Sequence, residues 1–157
     1  MRLSLERPLL GSERAFADLG LGDKLPQRPN IDRTGIAMTD EEQVRSAVLD
    51  YIEGWFDGDA IRMERALDPE LVKRCRGIEG DDPDALETLT QREMVDATAD
   101  GAGREEDAED RQISVQLTYQ GENLASATCL CHRYVDLLHL IRMPEGWRIV
   151  NAAWELR

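Results

Sequence analysis

Few residues in this chain could do chemistry, and three of them could form one acid–base set. His139 could act as a general base, because imidazole titrates near neutral pH. Tyr51 could donate a hydrogen bond to an oxyanion that develops in a substrate. Asp136 is a second acid–base candidate if its face of the strand points to a pocket. The alternative is that all three are hydrogen-bonded residues without a catalytic role.

A second group of reactive side chains follows the pattern C-x-C-H at Cys129, Cys131 and His132. On a strand the two cysteines share a face and the histidine points to the other, so they cannot bind one metal ion together without a bend. The chain also lacks a Gly-rich phosphate loop and a serine nucleophile elbow. The sequence therefore predicts neither a metal nor a cofactor.

The composition excludes several classes of partner. The 157 residues carry a formal net charge of -13, which disfavours binding to nucleic acid and to anionic membrane surfaces. No run of 18 apolar residues could form a transmembrane helix. The cysteines number three, which gives no disulfide framework and favours a cytoplasmic location. Of the 19 basic residues, only Lys24 and Lys73 are lysines.

The chain divides into two parts. Residues 1–37 contain several Pro and Gly and show no sustained hydrophobic period, so we expect a flexible N-terminal extension. Met38 is followed at once by a helix start, which suggests the hypothesis that translation begins there. Residues 38–157 are predicted to form a single domain.

Three helices are predicted at the start of this domain. Thr39 and Glu42 form a capping box, T-x-x-E, at the beginning of the first helix. Asp59 caps a short second helix. Thr90 and Glu93 form another capping box at the beginning of the third helix. Along the first helix, apolar residues recur every three or four positions and form one continuous stripe that includes Tyr51 and Trp55.

Four strands are predicted after the helices. Alternating apolar and polar residues indicate strands over 113–119, 124–131, 134–142 and 147–155. Pro144 to Gly146 form a hairpin loop between the last two. The order of elements predicts an α+β class in which three N-terminal helices pack on a curved antiparallel β-sheet.

The last hairpin predicts which residues face the helices. A three-residue loop would pair Met143 with Trp147 and place Arg142 opposite Arg148. Two adjacent arginines repel each other, so we expect their face to point to solvent. The predicted pocket-lining residues are then Leu137, His139, Ile141, Trp147, Ile149 and Asn151 from the sheet, with Tyr51 and Trp55 from the first helix.

The opposite face of the hairpin would contain Asp136 and Trp154 at one end and the two arginines at the other. Its other residues are apolar, and an exposed apolar sheet face usually meets a partner. The sequence therefore predicts a homodimer through the outer face of the sheet. If the two faces are exchanged, Asp136 enters the pocket and becomes a better acid–base candidate than His139.

Three segments resemble a known family. They are Val48 to Asp59 (VLDYIEGWFDGD), Leu89 to Met94 (LTQREM), and Tyr134 to Arg142 (YVDLLHLIR) followed by Gly146 to Asn151 (GWRIVN). They are similar to segments of the bacterial family described as "putative lumazine-binding", which has the cone-shaped fold of the nuclear transport factor 2 (NTF2)-like superfamily. SnoaL-like and ketosteroid-isomerase-like proteins share that fold. The resemblance implies a cavity between the sheet and the helices, and it does not specify an activity.

Three functions remain open from the sequence. The first is binding of a small apolar or aromatic ligand in the cavity. The second is a proton-transfer enzyme of the isomerase, dehydratase or cyclase type, acting on an aromatic or polycyclic metabolite through His139 or Asp136 with Tyr51. The third is a non-enzymatic dimeric interaction module whose cavity is filled. A cavity of about 300 Å³ or more would favour ligand binding over the third function.

Overall fold

The structure is a computed structural model that describes residues 37–77, 84–105 and 107–157. The predicted N-terminal extension, apart from Ala37, lies outside the described residues, and the start at Met38 stays a prediction. Within the described residues, no helix is long and apolar enough to cross a membrane. The elements are α1 Asp40–Asp57, α2 Ala60–Ala66, β1 Leu67–Arg76, β2 Leu86–Leu89, α3 Gln91–Ala99, β3 Ser114–Gln120, β4 Leu124–Leu130, β5 Tyr134–Met143 and β6 Gly146–Leu156.

The helices begin where the local capping signals predict. The Thr39 hydroxyl accepts a hydrogen bond from the backbone N–H of Glu42 at 3.3 Å, and the Glu42 carboxylate accepts from the backbone N–H of Thr39 at 2.7 Å. Thr90 and Glu93 repeat the arrangement at 3.3 and 2.8 Å. Both capping boxes are confirmed. Between α1 and α2, Gly58 adopts a φ of 69°, in the left-handed region that glycine enters without steric cost.

The strands form one curved sheet in the order β2-β1-β6-β5-β4-β3. Neighbouring strands are antiparallel except for β1 and β6, which pair in parallel. The sequence prediction contained neither β2 nor the parallel pairing. The pairing of β1 with β6 is irregular between Leu67 and Val72. Pro69 lies in this stretch, where its missing N–H does not break a ladder hydrogen bond.

The three helices cover the concave face of the sheet, which confirms the predicted α+β class. Helix α1 packs against β3, β4 and β6. Its buried residues Val44, Val48 and Ile52 belong to one core with the small residues Ala125 and Ala127 of β4. The same core includes Leu138, Leu140, Ile149 and Ala152 from β5 and β6.

The last hairpin differs from its predicted register at the loop end. Met143 pairs with Gly146, so the loop is Pro144-Glu145 and is one residue shorter than predicted. Gly146 has a φ of 132°, which allows the tight turn. Arg142 lies opposite Trp147, and its guanidinium is 5.0 Å from the indole ring. The predicted pairing of Arg142 with Arg148 is wrong.

Beyond the loop end, an extra residue in β6 restores the predicted register. His139 pairs with Asn151 and Leu140 with Ile149, which leaves Val150 as a β-bulge. The pairs from His139 onward, including Asp136 with Trp154, match the prediction. Over this stretch of matching pairs the assignment of the faces is inverted, because the two arginines whose repulsion supported it do not face each other. Asp136 is buried on the concave side.

Candidate functional site

A cavity of about 390 Å³ lies between the helices and the concave face of the sheet. Most of its wall is apolar or aromatic, and a few charged side chains interrupt it. The lining residues are Tyr51, Ile52 and Trp55 from α1; Lys73 and Cys75 from β1; Glu87 and Leu89 from β2; Glu93, Met94 and Ala97 from α3; Ala102; Arg133; and Tyr134, Asp136, Trp154 and Leu156 from β5 and β6.

Three polar side chains on the wall of this cavity form a closed hydrogen-bonded triangle. The hydroxyl of Tyr51 donates to Oδ1 of Asp136 at 2.9 Å. The ammonium of Lys73 donates to the same Oδ1 at 2.6 Å and also to the Tyr51 hydroxyl. Tyr51, Lys73 and Asp136 are 3%, 5% and 1% exposed, respectively. We call these three residues the buried triad.

Each member of the buried triad occupies a position that its element would normally give to an apolar residue. Tyr51 lies on the apolar stripe of α1. Lys73 lies between the buried Leu71 and Cys75, in the alternating part of β1. Asp136 precedes the inward-facing Leu138 in β5. The periodicity of the fold therefore places three polar groups at one point of the concave surface.

The electrostatics of the triad follow from its burial. Lys73 and Asp136 form an ion pair with little access to water, and such a pair is stable only when both partners are present. The Lys73 ammonium also lies 4.6 Å from the Trp154 ring centroid and 5.2 Å from that of Tyr51, within the range of cation–π attraction. Burial and the Asp136 charge raise the pKa of Tyr51 well above its usual value, so its hydroxyl stays protonated at neutral pH.

Aromatic residues form the walls beside the triad. Tyr134 and Trp154 pack edge to face, with ring centroids 5.6 Å apart. Trp55 forms another wall and lies directly against Gly103, where an added Cβ would be 1.9 Å from the indole Nε1. Gly103 is therefore the residue type that this packing requires. Such walls suit a flat ligand, because aromatic faces stack on planar rings.

The structure separates the residues that the sequence assigned to one pocket. Tyr51 and Trp55 line the cavity. His139 does not: it is exposed on the convex face, where its Nδ1 lies 3.1 Å from Asn151 Nδ2. Leu137 is 52% exposed on the same face. The predicted convergence of His139 and Asn151 with Tyr51 is wrong, since alternation along β5 sends Asp136 inward and His139 outward.

The other predicted pocket residues also lie elsewhere. Ile141 is on the convex side with His139, because it alternates with the buried Leu140. Trp147 and Ile149 face inward and are buried in the core, but they do not line the cavity. Ile149 keeps its predicted inward direction, but because of the bulge at Val150 it shares that face with Leu140 and not with His139 and Asn151.

Sequence reasoning did not single out Lys73 as a site residue. Two features of the sequence could have identified Lys73. Lysine is rare in this chain, with only two among 19 basic residues. The segment Leu71 to Cys75 also alternates like a half-buried strand, with the lysine on the apolar side. A charged residue at an apolar position of a strand is a candidate functional residue.

The comparisons with known proteins agree with this fold. The model of the family described as "putative lumazine-binding" matches residues 39–155. The chain belongs to this family. A search of curated proteins found no match.

Solved structures of NTF2-like proteins resemble the chain over most of its length. An NTF2-like protein of unknown function from Silicibacter pomeroyi has a TM-score of 0.61 at 20% identity, covering 76% of this chain and 100% of that one. A second, from Shewanella baltica, has a TM-score of 0.58 at 13% identity over 82% and 98%. An NTF2-like protein with a cystatin-like fold from Novosphingobium aromaticivorans has a TM-score of 0.54 at 20% identity over 74% and 81%. At these identities the likeness establishes the NTF2-like fold.

Proposed function

We propose that this protein binds a small, flat, aromatic molecule in the cavity between the helices and the sheet. The observation that carries the proposal is a cavity of about 390 Å³ with apolar and aromatic walls and one buried polar triad. Ligand sites in proteins typically have volumes of about 300–1,000 Å³ and a few polar groups that fix the ligand's orientation. This volume also argues against an interaction module with a filled cavity.

The triad limits the polar groups that the ligand presents. Within the described residues, both hydrogen bonds to the Asp136 carboxylate end on Oδ1, which leaves the lone pairs of Oδ2 as acceptors for a ligand N–H or O–H. Lys73 has three N–H donors and uses two of them within the triad. A ligand with a donor and an acceptor on neighbouring atoms fits this pair.

Lumazine is the first probe to test, because the family description names it and because it is flat and carries adjacent donors and acceptors. We expect its binding to quench tryptophan fluorescence, since Trp55 and Trp154 line the cavity. Native mass spectrometry of the protein, purified without removal of small molecules, would detect a ligand that is already bound. A reproducible extra mass would identify the ligand class directly.

Two matched substitutions in α3 test the location of the site. Ala97 lines the cavity, whereas Ala99 is exposed and does not line it. We expect Ala97→Trp to fill the cavity and abolish lumazine binding, and Ala99→Trp to leave it unchanged. Equal loss in both variants, or in neither, would contradict binding in this cavity.

A second candidate function is proton transfer on a ligand that binds here. The observation that favours it is the position of Asp136 on the cavity wall, with the Tyr51 hydroxyl as its hydrogen-bond donor. Asp136 would act as the base and His139 would have no part. We expect Asp136→Asn to bind ligand and fail to exchange the ligand's acidic C–H protons with D₂O, measured by proton NMR. Unchanged exchange in that variant would remove Asp136 from the chemistry.

The homodimer remains part of the proposal, with a corrected surface. The outer face is the convex one, where Tyr119, Leu124 and Leu137 are 55%, 46% and 52% exposed. We expect a second copy of the chain to cover them, because a sheet face that exposes large apolar side chains usually meets a partner. Leu137→Arg should then halve the mass measured by light scattering, and an unchanged monomer before and after would refute the dimer. Within the described residues, Cys75, Cys129 and Cys131 form no disulfide, which supports the proposed cytoplasmic location.

A further inference from the structure

Lys73 is unusual among the basic residues of this chain. It is one of two lysines among 19 basic residues, and among the described residues it is the only lysine. It is also buried on the wall of the cavity. Arginine would supply a permanent charge at such a site, but only a lysine can release its proton and become a nucleophilic amine.

The partners of Lys73 are those that an amine nucleophile needs. Asp136 Oδ1 lies 2.6 Å from Nζ and can accept a proton from the ammonium. The Tyr51 hydroxyl is hydrogen-bonded to the same nitrogen and to Asp136, so it can pass a proton onward. The cavity beside these atoms is large enough for a bicyclic molecule. The Lys73 amine therefore lies next to a proton acceptor, a proton donor and the open cavity.

We propose that Lys73 forms a reversible imine with an aldehyde or ketone group of a ligand in this cavity. The inference rests on the proposed ligand-binding function and adds a covalent step and a substrate class to it. The ligand is then a carbonyl compound with a flat apolar body. The aromatic walls hold the body, and the carbonyl carbon lies next to Nζ.

The step balances in atoms and charge. The Lys73 ammonium first gives one proton to Asp136. The neutral amine attacks the carbonyl carbon, a C–N bond forms, and the oxygen takes a proton through the Tyr51 hydroxyl to give a carbinolamine. Asp136, which has returned its first proton to the oxygen through Tyr51, accepts the second proton from the nitrogen and passes it to the hydroxyl by the same route. The C–O bond then breaks and the oxygen leaves as water. Ammonium and carbonyl thus become a protonated imine and one water molecule, and hydrolysis reverses the step.

Reductive trapping tests this proposal directly on the full chain. Benzaldehyde and sodium cyanoborohydride convert an imine into a stable benzylamine, which adds a fixed mass to the lysine concerned. Lys24 is the internal control, since it is the other lysine, and peptide mapping separates both from the N-terminal amine. We expect Lys73 to be labelled at least about tenfold faster than Lys24, because an adjacent base activates a nucleophile. In urea the two rates should become equal.

Variants separate the covalent step from a structural role. Lys24→Arg should leave labelling at residue 73 unchanged, and Lys73→Arg should abolish labelling at that position. The rate comparison in the unaltered protein decides the question even if Lys73→Arg does not fold. Asp136→Asn should slow the labelling of Lys73 and leave that of Lys24 unchanged.

The outcomes distinguish this proposal from the ligand-binding function. If Lys73 is labelled no faster than Lys24 in the folded protein while lumazine still binds, the imine proposal is overturned and the binding function stands. If Lys73 is labelled selectively but lumazine does not bind, the imine proposal stands and the ligand is of a different kind. Selective labelling that persists in Ala97→Trp would show that the reaction does not use the cavity and would also overturn the proposal.

Discussion

Each face of the sheet carries a hydrogen-bonded network of polar side chains. The network on the concave face is buried, whereas the one on the convex face is more exposed to solvent. On the concave face, Lys73 and Asp136 are bonded to each other and almost fully buried. On the convex face, the neighbouring Arg74 donates to Asn151 at 3.0 Å, and Asn151 lies 3.1 Å from His139. Both networks use strands β1 and β5, and they are separated by one residue step along β1 and three along β5. The comparison shows that the face, rather than the residue type, decides what a polar contact contributes.

The difference lies in what happens when one partner is removed. Within a single protomer, a polar group on the convex face can exchange a lost partner for water at little cost. A charge left alone on the concave face cannot, because the helices cover it. The concave network is therefore important for stability and for the chemistry proposed at Lys73, and the convex one is tolerant of change.

The largest expected effect comes from breaking the buried triad. Asp136→Ala leaves the Lys73 ammonium buried without its carboxylate, so we expect a loss of about 3–5 kcal/mol in the free energy of unfolding. His139→Ala on the convex face should change it by no more than about 0.5 kcal/mol. Urea denaturation followed by far-UV circular dichroism measures both. Similar values for the two variants would mean that water reaches the triad.

An intermediate effect is expected where the cavity wall is tightly packed. Gly103→Ala places a Cβ 1.9 Å from Trp55 Nε1, with two more indole atoms within 2.4 Å. The indole must move, at a cost of about 1–3 kcal/mol, and the cavity changes shape. The control is Gly121→Ala, where the nearest atom is the terminal hydroxyl of the exposed Tyr119 at 2.8 Å, which can rotate away. Urea denaturation and tryptophan fluorescence should change more in Gly103→Ala, and equal changes in both variants would argue against the described packing of Trp55.

The smallest effect at neutral pH concerns the Tyr51 proton. Because the pKa of Tyr51 is raised in the folded state, the folded chain holds this proton at pH values where the unfolded chain has lost it. Its contribution is fully present below the unfolded pKa of about 10 and is lost as pH rises toward the folded pKa, by up to about 1.4 kcal/mol per pH unit. Tyr51→Phe should reduce this slope, measured by urea denaturation between pH 9 and 11; burial also raises the pKa of the Cys129 thiol, which contributes the part of the slope that remains. An identical slope in the variant would show that other groups cause it.

Local signals in the sequence predicted the helices well. Thr39 with Glu42 and Thr90 with Glu93 act within four residues of chain, so the sequence alone contains both partners of each capping box. The strands β3 to β6 were predicted for a similar reason, since alternation of apolar residues is a local property. The parallel pairing of β1 with β6 was missed, because nothing near either strand specifies a partner about 80 residues away.

The site was predicted only in part, and one residue accounts for much of the error. Asp136, Tyr51 and Trp55 were named from the sequence, but Val150 forms a bulge that no Gly or Pro announced. A bulge inserts one residue and so exchanges the two faces of the strand beyond it. Arg142 and Arg148 would repel each other if they were paired, but they do not pair, so the repulsion argument selected the wrong face. Lys73 was missed because a single lysine in a short apolar stretch is expected to be exposed to solvent.

The parallel contact between β1 and β6 has a consequence for how the chain folds. The strands β3, β4, β5 and β6 each pair with a close neighbour in sequence, as do β1 and β2, so two halves of the sheet can form early from local contacts. Their union requires a long loop to close, and such closures are slow steps. Lys73 lies in one half and Asp136 and Trp154 in the other. The Lys73 amine thus acquires its surroundings only when the two halves dock. If the proposed imine forms, the rate of its trapping during refolding would report when that docking occurs.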